Sequence, residues 1–333
     1  MRLQPSMILA RALLPALLAL AALACAAQEP LPEDVILQTA PIIRGKASTA
    51  SQNAVVMLRI ADEAVCTGSL VAPNLVLTAR HCVSHTDETL LCAPDGHALA
   101  GGRIHQDYDA QDIVVYTGVR ESALRARARG AQLVHDSAKN LCNHDLALIV
   151  LDRDVSGVPL APLRLTESTR IGEMLTSVGW GLTASGTLPR ARMQRTGVLV
   201  TDVGPSSETP SHELTVGEGI CSGDSGGPAL SARGAVVGVV SSGGNGRYDD
   251  ANPAAGCIGA DTTNTYSRVA PFARLVRRAF KEAGAKPQLE VPAPSGCEAS
   301  PCASSNLHAD QSGLGGGGAG GRSSQPKTKR SDE

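Results

Sequence analysis

The chain has 333 residues, of which 32 are acidic and 30 basic, and its formal net charge is −2. This length allows one large domain or two modest ones. The near-neutral charge excludes electrostatic attraction to nucleic acid or to an anionic membrane as the basis of function. Aromatic residues make up only 2% of the chain, whereas glycine contributes 35 residues. The core must therefore be aliphatic, and the glycines favour a turn-rich β protein over a helical bundle.

Residues 1–26 have the features of an export signal. Arg2 and Arg11 lie in its first part, residues 12–24 are apolar, and small residues around Ala24 suit cleavage. The apolar run is too short for a comfortable membrane span. We expect a secreted or periplasmic protein without a transmembrane span; the alternative is a lipid anchor on Cys25.

The composition changes along the rest of the chain. Residues 27–41 are polar and contain prolines, which indicates a short pro-segment. Beyond them, short runs rich in Val and Leu alternate with Gly and Pro, a pattern typical of β-strands. An apolar stripe with Pro271 near its start predicts a helix over residues 271–283. Residues 285–333 are rich in Pro, Gly and Ser and are predicted to be a disordered tail after a domain that spans 42–284.

The segment CSGDSGGP, residues 221–228, has the composition of an acyl-transfer site. A serine hydroxyl is a poor nucleophile until a base accepts its proton and N–H groups stabilise the resulting oxyanion. The glycines beside Ser225 allow the backbone to turn so that two N–H groups point at one spot. The same residues also fit the G-x-S-x-G turn of unrelated hydrolases, so the partners of Ser225 decide its chemistry.

Two candidate partners precede the serine in the chain. His81 follows an apolar run in the segment TARHC, and Asp145 precedes one in the segment NHDLAL. The order His, Asp, Ser excludes an α/β-hydrolase, in which the serine comes first and the histidine last. Only His308, in the predicted tail, follows Ser225.

These three motifs, in this order, resemble those of the trypsin/chymotrypsin (S1) family of serine peptidases, in its bacterial secreted type. The resemblance covers about residues 42–283. It implies an all-β fold of two six-stranded antiparallel β-barrels with a C-terminal helix. The first barrel would span about residues 42–155 and the second about 156–270, with the catalytic cleft between them.

The resemblance implies a role for each residue of the triad. Ser225 would attack the scissile carbonyl, His81 would accept its proton and pass it to the leaving amine, and Asp145 would orient the imidazole. The N–H groups of Gly223 and Ser225 would form the oxyanion hole. We expect protein or peptide substrates and a monomer, with no metal, no cofactor and no nucleic acid.

Nine cysteines occur, and Cys25 falls within the signal, which leaves an even set for four disulfides. The resemblance implies one bridge that fixes the His81 loop and another that ties two walls of the substrate pocket. Elimination leaves one pair beside the Asp145 loop and one pair within the tail. The expected bridges are Cys66–Cys82, Cys221–Cys257, Cys92–Cys142 and Cys297–Cys302.

Members of this family mature by cleavage before a sequence such as IIRG, residues 42–45. The new amino group of Ile42 would pair with Asp224 and order the oxyanion loop, so we expect a zymogen. Pro41 precedes the bond and no basic residue lies nearby, which leaves the activating protease open. Arg80 stands where the family has a small residue, and we expect its side chain to point to solvent.

Substrate preference depends on the pocket residues that the resemblance implies. Gly219, six residues before the serine, would form the base, and Asn264 would be a second lining residue. An acid at the base would select Lys or Arg, so glycine indicates an uncharged side chain before the cleaved bond. Asp261 is close enough in sequence that a shift of one or two residues would reverse this preference. The wall that pairs with the substrate backbone would consist of Ser241, Ser242 and Gly243.

We therefore predict a serine endopeptidase that works through an acyl-enzyme intermediate. Two alternatives remain, a catalytically inactive binding module of the same fold and an esterase. The intact set of His81, Asp145, Ser225 and Gly223 argues against the first. The second shares the same chemistry, since peptidases also cleave esters.

Overall fold

The computed structural model describes residues 42–61 and 64–291. The predicted signal and pro-segment, most of the predicted tail and the expected Cys297–Cys302 bridge lie outside these residues. Within the described residues the chain forms seventeen β-strands, six short 3-10 helices and one α-helix. In chain order the strands are β1 Lys46–Ala47, β2 Val55–Ile60, β3 Ala64–Ala72, β4 Leu75–Thr78, β5 Ser84–Thr86, β6 Leu90–Cys92, β7 Ala98–Gly101, β8 Ile104–Asp107, β9 Ile113–Thr117, β10 Arg125–Val134, β11 Ala147–Leu151, β12 Met174–Gly179, β13 Met193–Val203, β14 Glu213–Val216, β15 Pro228–Leu230, β16 Val236–Gly244 and β17 Thr263–Arg268. The 3-10 helices are Ala50–Gln52, Arg80–Cys82, Ala110–Asp112, Glu121–Ala123, Ala255–Cys257 and Ala270–Phe272, and the α-helix, α1, is Ala273–Glu282.

Twelve of these strands form two barrels. The first barrel is closed in the order β10-β11-β4-β3-β2-β9, and its neighbouring strands run antiparallel. The second follows the order β13-β12-β15-β16-β17-β14, and a further pairing of β13 with β14 closes it. The predicted fold of two six-stranded antiparallel barrels is therefore confirmed.

Aliphatic side chains fill both barrels and the space between them. Leu58 and Ile149 belong to a buried cluster within the first barrel, and Val200 belongs to one within the second. A third cluster contains Leu77 of β4, Val239 of β16 and the apolar face of α1. Because alternate side chains of a strand point to opposite faces, each barrel presents apolar residues to its own interior and to its neighbour. This shared cluster holds the two barrels together and defines the cleft between them.

The C-terminal helix is confirmed. The 3-10 helix Ala270–Phe272 has proline at its start and runs directly into α1. Val276 and Phe280 are buried against the shared cluster, whereas Arg277 and Arg278 are exposed. The alternation of apolar and basic residues in the sequence therefore marks the two faces of the helix.

The first strand of the domain pairs with the second barrel, although it precedes the first barrel in the chain. Strand β1 pairs with β13. Next to β13, the guanidinium of Arg192 is buried and donates hydrogen bonds to Ser48 Oγ and to the carbonyl of Val55, both at 2.8 Å. Burial lowers the pKa of Arg192 to about 10, so it stays charged at neutral pH. The N-terminal segment is thus fastened across both barrels.

The chain continues to pack against the second barrel beyond residue 284, where the sequence predicted the tail to begin. Leu289 forms a parallel bridge with Leu163. The carboxylate of Glu290, only 4% exposed, pairs with Arg164 and accepts a hydrogen bond from Ser231 at 2.6 Å. The compact unit ends at Glu290. We call residues 285–290 the C-terminal strap. The sequence did not indicate that it packs, because one carboxylate in a polar, proline-containing stretch produces no periodic pattern.

Replacing Glu290 with Gln tests what the strap contributes. The amide keeps the size of the side chain but removes the charge that faces Arg164, so we expect the free energy of unfolding to fall by about 2 kcal/mol. Urea denaturation followed by circular dichroism measures this change. The control is Glu282→Gln at the solvent-facing end of α1, for which a change within about 0.5 kcal/mol is expected. Equal losses for the two variants would contradict the anchoring role of Glu290.

Candidate active site

A cavity of about 910 Å³ lies between the two barrels. His81 and Leu141 line it from the first barrel, and Ser225, Ser242 and Asn264 line it from the second. The cleft therefore brings together residues from widely separated parts of the chain. It contains the histidine and the serine that the sequence singled out.

The first barrel supplies His81 and Asp145 from adjacent strands. Strand β4 ends at Thr78, and the 3-10 helix Arg80–Cys82 turns the chain so that His81 reaches the cleft. Asn143 has a φ of 64° and turns the chain just before β11. Because β11 pairs antiparallel with β4, the end of one strand and the start of the other lie side by side. This pairing brings Asp145 next to His81.

The carboxylate of Asp145 is 1% exposed and receives three hydrogen bonds. Its Oδ2 atom lies 2.8 Å from Nδ1 of His81, and its Oδ1 atom accepts the backbone N–H of His81 at 2.9 Å. The hydroxyl of Ser241, on β16 of the second barrel, donates to Oδ2 at 2.6 Å. The imidazole is thus held by its Nδ1 atom, which leaves Nε2 available for a proton from the cleft.

This contact shifts the pKa of both groups in the directions that favour an ion pair. Burial alone would lower the pKa of His81, but the charge of Asp145 and its hydrogen bond raise it above 6.5. Burial alone would raise the pKa of Asp145, but the charge of His81 and the hydrogen bonds hold it below 3.8. Asp145 is therefore ionised at neutral pH and stabilises a positively charged imidazole.

The serine loop, residues 221–228, is tightly packed against the first barrel. The carbonyl of Ser225 accepts the backbone N–H of Thr67 at 2.8 Å. Gly226 has a φ of 76°, and a Cβ atom there would lie 2.0 Å from Oγ1 of Thr78. Gly223 has a φ of 96°, which side chains rarely allow. These two positions require glycine, which explains why the motif has glycine on both sides of the serine.

Asp224, between these glycines, points away from the cleft and is fully buried. Its carboxylate accepts the N–H groups of Gly181 at 2.7 Å and Cys221 at 3.0 Å. Within the described residues no cation pairs with it. Burial therefore raises the pKa of Asp224 to about 7.

Ile42 and Ile43, the first described residues, are also fully buried. Ile42 has a φ of 47°, a conformation that β-branched residues rarely adopt. The carbonyl of Ile43 accepts a hydrogen bond from Arg195 at 3.0 Å. This segment therefore lies within the folded domain and carries local backbone strain.

Glu218 connects this segment to the predicted pocket, and the sequence did not indicate it. Its carboxylate pairs with Arg44 at 3.1 Å and with Arg195 at 3.2 Å, and it accepts the N–H of Gly259 at 2.7 Å. The carboxylate is only 7% exposed. Gly219 follows it directly, so the residue expected at the pocket base is held through its neighbour.

Four of the five predicted pocket residues line the cavity, namely Ser241, Ser242, Gly243 and Asn264. Gly219 is buried and does not line the cavity itself, whereas Ile220 does. Asn264 donates a hydrogen bond to the carbonyl of Gly217 at 2.9 Å. Asp261, the residue that would reverse the predicted preference, is exposed and pairs with Arg247 at 2.8 Å.

The described residues form three disulfides. They are Cys66–Cys82, Cys92–Cys142 and Cys221–Cys257. The first closes residues 66–82, a loop that contains His81, and the third joins Cys221 of the serine loop to Cys257, another residue that lines the cavity. The sulfur atoms of the first lie beside His81 but are bonded to each other, so they are not free thiolate ligands for a metal.

Arg80 does not point to solvent, and that expectation was wrong. Its side chain is 4% exposed and pairs with Asp107 of β8 at 2.6 Å. It also donates to the hydroxyl of Ser84. The sequence did not suggest this outcome because Asp107 lies in a different strand, whose approach depends on the folded loop after His81.

A two-barrel fold, with a His–Asp pair and a serine loop facing one cleft, is the architecture of the trypsin-like serine protease family. Residues 42–265 match the family model of Trypsin. The chain therefore belongs to the Trypsin family.

Individual relatives are distant. The chain is 27% identical over 256 residues to Serine protease SP24D of Anopheles gambiae, a match that covers 73% of this chain and 83% of that protein. It is 27% identical over 199 residues to Glucanase inhibitor protein 4 of Phytophthora infestans, covering 55% of this chain and 71% of that protein. Both relatives are eukaryotic, so they do not support the expected bacterial type.

The solved structure of neuropsin, a serine protease expressed in the limbic system of mouse brain, has the same fold. The TM-score is 0.54 at 19% identity, and the match covers 72% of this chain and 100% of that chain.

None of the described helices is long and apolar enough to cross a membrane.

The buried Asp224 predicts a pH dependence of stability for the uncleaved chain. Its pKa is about 7 when folded and near 3.8 when unfolded. Between these values the folded chain keeps a proton that the unfolded chain has lost, so stability falls as the pH rises. We expect urea denaturation of the Ser225→Ala chain to show a loss of stability between about pH 5 and about pH 8. Replacing Asp224 with Asn in that chain should make this loss about 3 kcal/mol smaller. The same loss in both chains would contradict the high pKa.

Proposed function

We propose that the protein is a serine endopeptidase whose nucleophile is Ser225. The observation that carries the proposal is the His81–Asp145 pair, which faces the same cleft as Ser225 from the opposite barrel. An oriented histidine beside a serine is the arrangement that nucleophilic acyl transfer needs. Family membership supports the same reaction class.

In the proposed mechanism, Ser225 Oγ forms a bond to the scissile carbonyl carbon while its proton passes to Nε2 of His81. The oxyanion lies between the N–H groups of Gly223 and Ser225, each worth a few kcal/mol of barrier in comparable sites. The C–N bond then breaks, and the proton of His81 moves to the leaving amine. Water hydrolyses the acyl-enzyme by the same steps, with His81 again the base. Asp145 keeps the imidazole oriented and stabilises its charged form throughout.

The protein is proposed to be a zymogen that an activating protease cleaves before Ile42. Asp224 has two N–H donors and no cation among the described residues, so an amino group would complete its environment. The strained φ of Ile42 supports the same step, because this angle includes the carbonyl carbon of residue 41 and ceases to exist once the bond is cut. The buried ion pair that results would act as the switch.

The pocket is proposed to accept an uncharged side chain before the cleaved bond. Asn264 is neutral, and Asp261 is engaged with Arg247 at the surface. Arg195 and Glu218, near Gly219, neutralise each other at 3.2 Å. None of these pocket residues presents an unpaired charge, which supports a neutral substrate side chain, since burying an unpaired charge would be costly.

The location and partners remain part of the proposal. The apolar leader supports a secreted or periplasmic monomer that acts on proteins or peptides, with lipid on Cys25 as the alternative.

A second candidate function is a binding module without activity. It is favoured by one observation, the relative that is named as a glucanase inhibitor.

A serine-directed fluorophosphonate separates the two candidates. Ser225 Oγ would form a bond to phosphorus as fluoride leaves, so protein cleaved to begin at Ile42 should take up one equivalent. Ser225→Ala should take up none, whereas Ser222→Ala, an exposed serine of the same loop, should label normally. Protein that begins at Gln28 should label much more slowly. Mass spectrometry measures each result, and an unlabelled wild-type protein would favour the binding module.

The pH dependence of activity tests the role of His81. The base must be neutral to accept the serine proton, so kcat/KM should rise with pH and reach half of its maximum above pH 6.5, since Asp145 raises the pKa of His81. Asp145→Asn should lower both the midpoint and the rate, the latter by about ten-thousand-fold, the order known for this substitution in the family's triad. Hydrolysis of a peptide ester over a pH series measures both effects. A midpoint unchanged by Asp145→Asn would exclude the proposed pairing.

A further inference from the structure

Thr67 is a fully buried residue of β3 that contacts the serine loop through its backbone N–H and through its hydroxyl. Its backbone N–H donates to the carbonyl of Ser225 at 2.8 Å. Its hydroxyl donates to the carbonyl of Gly223 at 2.8 Å and accepts the N–H of Trp180 at 3.1 Å. Thr67 belongs to the first barrel, whereas all three partners belong to the second. One side chain therefore joins the barrels at the proposed oxyanion hole.

The orientation of Gly223 depends on the two peptide groups that flank it. The carbonyl of Ser222 accepts the N–H of Leu182 at 2.7 Å, which holds the peptide group that contains the N–H of Gly223. The next peptide group is held at its carbonyl by the Thr67 hydroxyl and at its N–H, that of Asp224, by the carbonyl of Cys221 at 3.0 Å. Glycine has the greatest backbone freedom of any residue, so these bonds are what restrict its φ and ψ.

The hydroxyl also satisfies two buried backbone groups that would otherwise lack partners. The carbonyl of Gly223 and the N–H of Trp180 both point at Oγ1 of Thr67. Trp180 is 2% exposed, so water cannot readily replace the hydroxyl there. The adjacent N–H of Gly181 binds Asp224, which connects the same strand end to the proposed activation switch.

We propose that Thr67 is a positioning residue whose hydroxyl aligns the N–H of Gly223 toward the oxyanion. This inference rests on the proposed peptidase function. Thr67 does not touch substrate, and it acts through Gly223. A donor fixed before the reaction stabilises the transition state without reorganisation, so its alignment should affect kcat more than KM.

The test compares Thr67→Val, Thr67→Ser and Ser69→Ala in protein cleaved to begin at Ile42. Valine keeps the shape of threonine but removes the hydroxyl, and serine keeps the hydroxyl. Ser69 is a matched control, since it lies on the same strand, is fully buried and has a hydroxyl for which the described residues offer no hydrogen-bond partner. Circular dichroism and thermal unfolding establish that each variant is folded.

We expect Thr67→Val to lower kcat about tenfold with KM within about twofold, because Asp224 N–H still holds one end of the peptide group. Thr67→Ser should retain kcat within about threefold and Ser69→Ala should match the wild type. A fall in kcat of equal size for all three variants, or an unchanged kcat for Thr67→Val, would overturn the proposal.

A second readout separates positioning from general damage to the site. A peptide aldehyde forms a tetrahedral adduct with Ser225 whose oxygen occupies the oxyanion hole, whereas the matching peptide alcohol binds without one. Thr67→Val should weaken inhibition by the aldehyde about tenfold and leave inhibition by the alcohol unchanged. Equal losses for the two inhibitors would contradict the inference. A wild-type protein that neither cleaves peptides nor reacts with a fluorophosphonate would instead overturn the proposed function itself, and this inference with it.

Discussion

The buried carboxylate of Asp145 is the group to which both barrels donate hydrogen bonds. The first barrel supplies the backbone N–H and the imidazole of His81, and the second supplies the hydroxyl of Ser241. An ionised carboxylate at 1% exposure is tolerated only when each of its contacts is made. The relative position of the two barrels is therefore constrained by the same group that orients the proposed base. The aliphatic cluster between the barrels and α1 provides the hydrophobic attraction that holds the barrels together. The hydrogen bonds to Asp145 fix their relative position.

A second buried carboxylate belongs to Asp224 of the serine loop. Its surroundings shift its pKa in the opposite direction from that of Asp145. Asp145 faces a partner that can become positive, whereas the described residues offer Asp224 only backbone N–H groups. Burial therefore raises the pKa of Asp224 while the pairing of Asp145 lowers its own. In the proposed zymogen, Asp145 already has its hydrogen-bond partners, whereas Asp224 would gain a positively charged partner on cleavage before Ile42. Thr67, between the two loops, links the strand that supports His81 to the peptide group beside Asp224.

Local patterns predicted the strands, the helix and the candidate residues, whereas the two-barrel arrangement and the role of each site residue came from the family resemblance. Alternating apolar runs indicated the strands, and the spacing of Val276 and Phe280 indicated the helix. The glycines around Ser225 are explained by the positive φ at Gly223 and Gly226 and by the close approach of Thr78. Sequence patterns failed for charged residues, which composition assigns to the surface by default. Arg80 is buried against Asp107, and Glu290 is buried against Arg164 in a stretch that looked like a tail.

The sequence by itself determined the class of chemistry, because a nucleophilic serine needs a base, an acid and glycine at particular places, and each of these has a recognisable local setting. Only the tertiary structure decided which polar groups support that chemistry. The partners of Thr67, Arg80, Glu218 and Glu290 lie on other strands and loops, so no spacing in the sequence reveals them. Whether a charge or hydroxyl is buried depends on what packs over it, and that is a property of the assembled barrels. Family membership and local motifs therefore define the proposed triad, while the folded contacts define what holds it in place.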